Sequence, residues 1–116
     1  MVHGATGKLL SQMRRGAIEY CVIALLRGEE RYGFDLVREL AGIDGLVTTE
    51  GTIYPLLSRL RNEGLVETTW RESQQGPPRR YYRATPEGLL ALETFVEQWA
   101  KFRDSVDQVL EMRGLS

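Results

Sequence analysis

Thr48 to Gly64 reads TTEGTIYPLLSRLRNEG, and the fold turns on how this stretch is taken. Ile53, Leu56, Leu57 and Leu60 recur at i, i+3, i+4 and i+7, the spacing that lines one stripe of an α-helix with apolar side chains. The opposite face carries Gly51, Pro55, Ser58, Arg59 and Asn62, flanked by Thr52 and Tyr54. Small residues for close approach, hydroxyls, an amide and a guanidinium suit a polyanion whose edges can be read. An amphipathic helix with a merely solvated polar face has the same pattern, so the stretch alone leaves both readings open. Thr49 is placed to cap the helix, and Glu50 favours the positive end of its dipole. Pro55 lies past the first turn. There it removes a backbone hydrogen bond and crowds the Gly51 carbonyl, at roughly 3 kcal/mol in an ordinary helix interior.

Working outward, the helix closes at Asn62 to Gly64, and LVETTWRE follows as a strand with Val66, Thr68 and Trp70 on one face. SQQGPP reads as the turn of a hairpin, and Arg79 to Ala84 as the returning strand. Arg79, Arg80 and Arg83, interleaved with Tyr81 and Tyr82 and with no acid between them, have the makings of a phosphate clamp. Upstream, Ile18 to Leu26 is apolar nearly all round, which predicts a helix buried on two sides, with Gly28 ending it. Gly33, Leu36, Val37 and Leu40 repeat the helical stripe, and Gly42 stops it. Three helices and a hairpin spell an α+β, mostly α, winged helix-turn-helix with a two-stranded wing.

Thr85 followed by Pro86 is a strong helix start. Beyond it Leu92, Phe95, Trp99, Phe102, Val106 and Val109 alternate spacings of three and four, a heptad seam. Leu89, Val96 and Leu110 add a second stripe, more apolar surface than the preceding elements can cover, so a second copy of the chain is the expected cover. The organisation expected is therefore a flexible segment over 1–14, a winged helix-turn-helix over 15–85 and a C-terminal dimerisation helix over 86–116.

With 116 residues, 42% of them hydrophobic, the chain is long enough for one small core and too short for two. Its net charge of −1 gives no global sign of a polyanion partner, but the charge is segregated. Thr48 to Thr85 holds six arginines against four glutamates, whereas the residues from Pro86 onward hold three cations against six acids. One histidine, His3 in the expected flexible segment, and one cysteine, Cys21 within an apolar run, leave no set for catalysis, a metal site or an intramolecular disulfide. No cofactor is expected. The sequence shows no membrane-spanning run and no signal pattern, so a soluble, cytoplasmic protein is expected.

GAIEYCVIALL followed by RYGFDLVREL, then EGTIYPLLSRLRNEGLV, then RRYYRATPEG leading into a long helix, together resemble the PadR family of bacterial transcriptional regulators from about Arg15 to Leu110. The short tail is similar to the smaller subfamily with a single C-terminal helix. The resemblance implies a homodimer joined through those helices, a repressor of double-stranded DNA sites that are roughly palindromic. It implies that Thr49, Gly51, Thr52, Tyr54 and Pro55 belong to the recognition helix, and that Arg79 and Arg80 belong to the wing. Ser58 and Arg59, farther along the same polar face, are further candidates for DNA contact, with a backbone contact and mere solvation both open for Arg59. Some family members hold planar aromatic effectors at the dimer interface beside a tryptophan, and Trp99 stands at the matching position. Phe95, Phe102, Met13 and Cys21 are the candidates to complete such a pocket. Trp99 filling the dimer core without any effector is the competing reading. A winged-helix module for protein contacts, without sequence-specific DNA binding, is the alternative function that the slightly acidic balance leaves open.

Overall fold

Ile53, Leu57 and Leu60 lose all solvent contact and Leu56 keeps 7%, so the stripe of the opening stretch is the centre of the core. Each such side chain contributes about 1.5–3 kcal/mol by leaving water. The computed structural model describes residues 5–46 and 48–115, with side chains described from residue 7. Its elements are α1 (Ala5–Arg14), α2 (Ile18–Leu25), β1 (Arg31–Tyr32), α3 (Gly33–Ala41), a short 3-10 turn (Asp44–Leu46), α4 (Glu50–Asn62), β2 (Val66–Ser73), β3 (Gly76–Ala84) and α5 (Pro86–Met112). Helices α2, α3 and α4 enclose the core through Val22, Ile23, Leu36 and Leu40 together with the α4 stripe, and Val66, Tyr82 and Leu92 close it. The fold is a winged helix.

Three elements differ from the sequence expectation. Residues 5–14, expected to be flexible, form α1; Leu9 and Met13 on it remain exposed, so its apolar stripe is not used within the chain. His3 lies outside the described residues. The wing is also part of a three-stranded antiparallel sheet in the order β1-β3-β2, because Arg31 and Tyr32 pair with Tyr82 and Tyr81. Two residues are too few to show a strand period, which is why β1 escaped the sequence reading. Finally, β3 begins at Gly76, so the turn between paired Ser73 and Gly76 is only Gln74 and Gln75, and a register shift between Arg71 and Ser73 takes up the slack. Pro77 and Pro78 fall within that register shift, between the pairs Arg71–Arg79 and Ser73–Gly76, where the regular ladder that would need their N–H groups is interrupted.

The end of α4 and the start of α5 are joined by polar contacts. Gly64 takes φ +77, and Leu65 N donates back to the Leu60 carbonyl at 2.9 Å, a glycine-ended helix turn of the Schellman type. Thr85, buried at 8%, caps α5 by accepting from Gly88 N at 3.0 Å, donates its hydroxyl proton to the Gly64 carbonyl at 2.6 Å and sends its own N–H to the Leu65 carbonyl at 3.1 Å. Gly88 is packed directly on Leu65. A Cβ there would overlap the Leu65 carbonyl oxygen and lie 3.0 Å from its carbon.

Candidate nucleic-acid interface

The N-terminal end of α4 presents Thr49, Gly51, Tyr54, Pro55, Ser58 and Arg59 exposed and Thr52 half-buried, opposite the buried stripe. Thr49 is the N-cap with extended dihedrals, and its carbonyl accepts from Thr52 N and Ile53 N, both at 3.0 Å. Its hydroxyl makes no capping hydrogen bond and lies 3.4 Å from the Thr52 hydroxyl. Among the described residues the first-turn N–H groups of Glu50 and Gly51 have no acceptor, at the positive end of a 13-residue helix where an anion is favoured. Gly51 and Pro55 share the exposed face. Pro55 denies the Gly51 carbonyl its helical donor at a residue that is exposed and not in the core.

Tyr54 stands where α4 meets the start of α3. A Cβ on buried Gly33 would touch the Tyr54 and Tyr82 rings at 3.5 and 3.1 Å, so the absent side chain makes room for both. Burial, and then Glu50 nearby, hold the Tyr54 hydroxyl proton more tightly than usual, and the hydroxyl stays a neutral donor. Arg59 lies on the exposed face, as its helical position suggested, but its charge is paired. Its guanidinium is tied to Glu19 of α2 at 2.9 Å and to Glu63 at 3.3 Å, and these carboxylates raise its pKa further.

The wing arginines divide in the same way. Arg83 pairs with cross-strand Glu67 at 2.6 Å, and Arg71 pairs with Glu30, so the three-arginine clamp expected from sequence is reduced to Arg79 and Arg80. These two have no carboxylate partner among the described residues. Arg79 lies over the Tyr32 ring at 4.7 Å and Arg80 over Trp70 at 4.6 Å, an arrangement that fixes the guanidinium plane and leaves N–H edges for an anion. The separating signal, Glu67 opposite Arg83 across the hairpin, becomes readable only once the register is known.

On α5 the residues expected to form a seam fall into two groups. Leu92 corrects the sequence reading: it is 9% exposed and packs into the protomer's own core. Phe95 is half-buried and stacks on Tyr20 at 4.4 Å with 7° between planes, an aromatic partner that the sequence reading did not single out. Trp99 continues the ladder on Phe95 at 5.9 Å, and Phe102 follows tilted at 6.4 Å. Trp99, Phe102, Val106 and Val109 keep 42, 64, 40 and 59% of their surface in water. Of the proposed pocket residues, Cys21 sits half-buried on α2 beside Tyr20, with its thiol pKa raised by burial, whereas Met13 is exposed on α1. Among the described residues no cluster of three His, Cys, Asp or Glu is placed to hold a metal, and no helix is long and apolar enough to cross a membrane.

Helix α4 with its exposed N-terminal end, α3 before it and the hairpin carrying Arg79 and Arg80 beside it have the arrangement of a winged helix-turn-helix, a fold of transcriptional regulators. The chain belongs to the PadR-like family of transcriptional regulators, whose pattern it matches over residues 22–94. It is similar to a PadR-like transcription factor from Bacteroides fragilis, with 40% identity, a TM-score of 0.72 and coverage of 88% of this chain and 98% of that one. It is also similar to a PadR-family regulator from Eggerthella lenta, with 36% identity, a TM-score of 0.79 and coverage of 90% and 91%. Transcriptional regulator Rv3488 of Mycobacterium tuberculosis is 35% identical over 83 residues, 72% of this chain and 76% of the relative. The family consists of DNA-binding regulators and not of enzymes.

Proposed function

We propose that the protein acts in the cytoplasm as a homodimeric repressor, reading a roughly palindromic operator with two copies of α4 and gripping flanking backbone with Arg79 and Arg80. The observation that supports the dimer most is the far half of α5, where every residue from Lys101 to Met112 is exposed, although Phe102, Val106 and Val109 lie at seam spacing. Two recognition helices joined this way meet successive major grooves about 34 Å apart. Thr49, Gly51, Thr52, Tyr54, Pro55 and Ser58 take the base edges and nearest phosphates in this reading, and Arg59 is left to brace α4 against α2. Val106→Glu puts a charge into the seam of both copies. Sedimentation should then show a monomer, and the affinity for DNA from upstream of the protein's own gene should fall by roughly 30-fold or more, because one half-site must then hold alone. A variant that remains dimeric overturns the seam.

The signal that releases DNA in this reading is a planar aromatic molecule stacked on Trp99 and Phe102, with Phe95 beneath them. Such a compound should quench tryptophan emission in the parent, and the quenching should disappear in Trp99→Phe, which retains Trp70 as the internal reference. Quenching that persists in that variant rejects the ladder as the effector site.

A further inference from the structure

Arg38, Arg79 and Arg80 each lie over an aromatic ring and have no carboxylate within ion-pair distance among the described residues. Arg31, Arg59, Arg71, Arg83 and Arg103, by contrast, all face a carboxylate within ion-pair distance. Arg38 does not: it is exposed on α3, and its guanidinium lies 5.8 Å from the centre of the Phe34 ring. Phe34 is 43% exposed and contributes nothing to the core. Its ring is 6.1 Å from Tyr32, whose ring lies beneath Arg79 and 5.7 Å from Tyr81. A continuous run of side chains, Arg38, Phe34, Tyr32 and Arg79, therefore crosses from α3 to the wing. Gly33, between Tyr32 and Phe34, is the residue on which Tyr54 of the recognition helix rests, so the run adjoins the reading end of α4.

We infer that this run is a second phosphate-binding strip for duplex DNA, in which Arg38 contacts the backbone beyond the wing and Tyr32 is the positioning residue that holds Arg79. The inference rests on the DNA-binding role of the wing proposed above. A guanidinium laid on a ring gives up little hydration and little freedom when it meets a phosphate, because its plane is already set. Asp35, next to Phe34, leaves the strip with only a small positive balance, so the oriented N–H donors and not a broad potential are what bind. The exposed edge of Phe34 then covers the sugar side of the same strand.

Phosphate contacts are sequence-independent, so the test uses a duplex of about 30 base pairs of arbitrary sequence alongside DNA from upstream of the gene, with anisotropy read over a salt series. Arg38→Gln, at an exposed position, should weaken both duplexes about three- to tenfold and lower the salt slope by roughly one per protomer. Tyr32→Phe should bind as the parent does. Tyr32→Leu should match Arg79→Gln, and the double variant should be no weaker than either single one, because both remove the same contact. Unchanged affinity and slope in Arg38→Gln overturn the strip, as do Tyr32→Leu and Arg79→Gln effects that multiply. If Arg38→Gln and Tyr32→Leu are silent while Arg79→Gln with Arg80→Gln loses affinity, the strip alone fails. If that wing pair is silent too, the wing reading falls with it.

Discussion

Replacing Arg79 and Arg80 together by glutamine should lower DNA affinity about 10- to 100-fold on every sequence and reduce the salt slope by roughly two per protomer. The expectation follows from how the two side chains are held. Both lie over rings, Tyr32 at 4.7 Å and Trp70 at 4.6 Å, and neither has a carboxylate partner among the described residues. Their charge is thus uncancelled and their planes are already oriented. Glutamine keeps much of the stem that packs on each ring and removes the charge, so the loss reports the phosphate contact and not a disturbed hairpin. Anisotropy titrations over a salt series check this, with a thermal melt to confirm that the wing variant is folded. A variant that binds both specific and arbitrary duplexes as tightly as the parent would sink the clamp.

Gly88→Ala should cost about 3 kcal/mol or more, a large part of the stability of a domain this size, and should lower the melting temperature by 10 °C or more, roughly. The added methyl group has nowhere to go. It would overlap the Leu65 carbonyl oxygen, and what it meets is backbone, which cannot rotate away as a side chain does. The same carbonyl accepts the Thr85 N–H at 3.1 Å, so moving it aside breaks the cap of α5 as well. The usual gain in helix propensity from glycine to alanine, about 1 kcal/mol, is too small to compensate. Differential scanning calorimetry of the two proteins decides the matter; a melting temperature within a degree or two of the parent would show that α5 can slide on Leu65.

The core and the order of elements were legible because they rest on local periodicity. Ile53, Leu56, Leu57 and Leu60 announced a buried stripe, and Thr85 with Pro86 announced a capped helix; both are found as read. What stayed hidden depends on cross-chain registration. Whether Arg83 is free or neutralised depends on Glu67 lying opposite it, and whether Arg59 faces DNA or α2 depends on where Glu19 comes to rest. Leu92 shows the same limit on α5. Its heptad position is identical in kind to that of Val106, but α2 packs beside the first half of the helix, where Tyr20 stacks on Phe95, and residues 101–112 are all exposed, so one residue enters the protomer's core and the other remains in water. The two-residue strand β1 leaves no periodic trace, and with it went the ring of Tyr32 on which Arg79 lies.

The junction of Thr85 and Gly88 with Gly64 and Leu65 has a mechanical consequence. It fixes α5 to the end of α4 through two hydrogen bonds and a backbone contact with no slack, so the 27-residue helix behaves as a lever whose pivot is the tail of α4. At about 1.5 Å per residue the arm is roughly 40 Å long, and a tilt of about 5° at the pivot corresponds to about 3 Å of travel at its tip. Run in reverse, a small shift between two such arms in the proposed dimer changes the distance between the two copies of α4. In that reading the spacing of the half-sites is geared to the angle at which one copy meets the other.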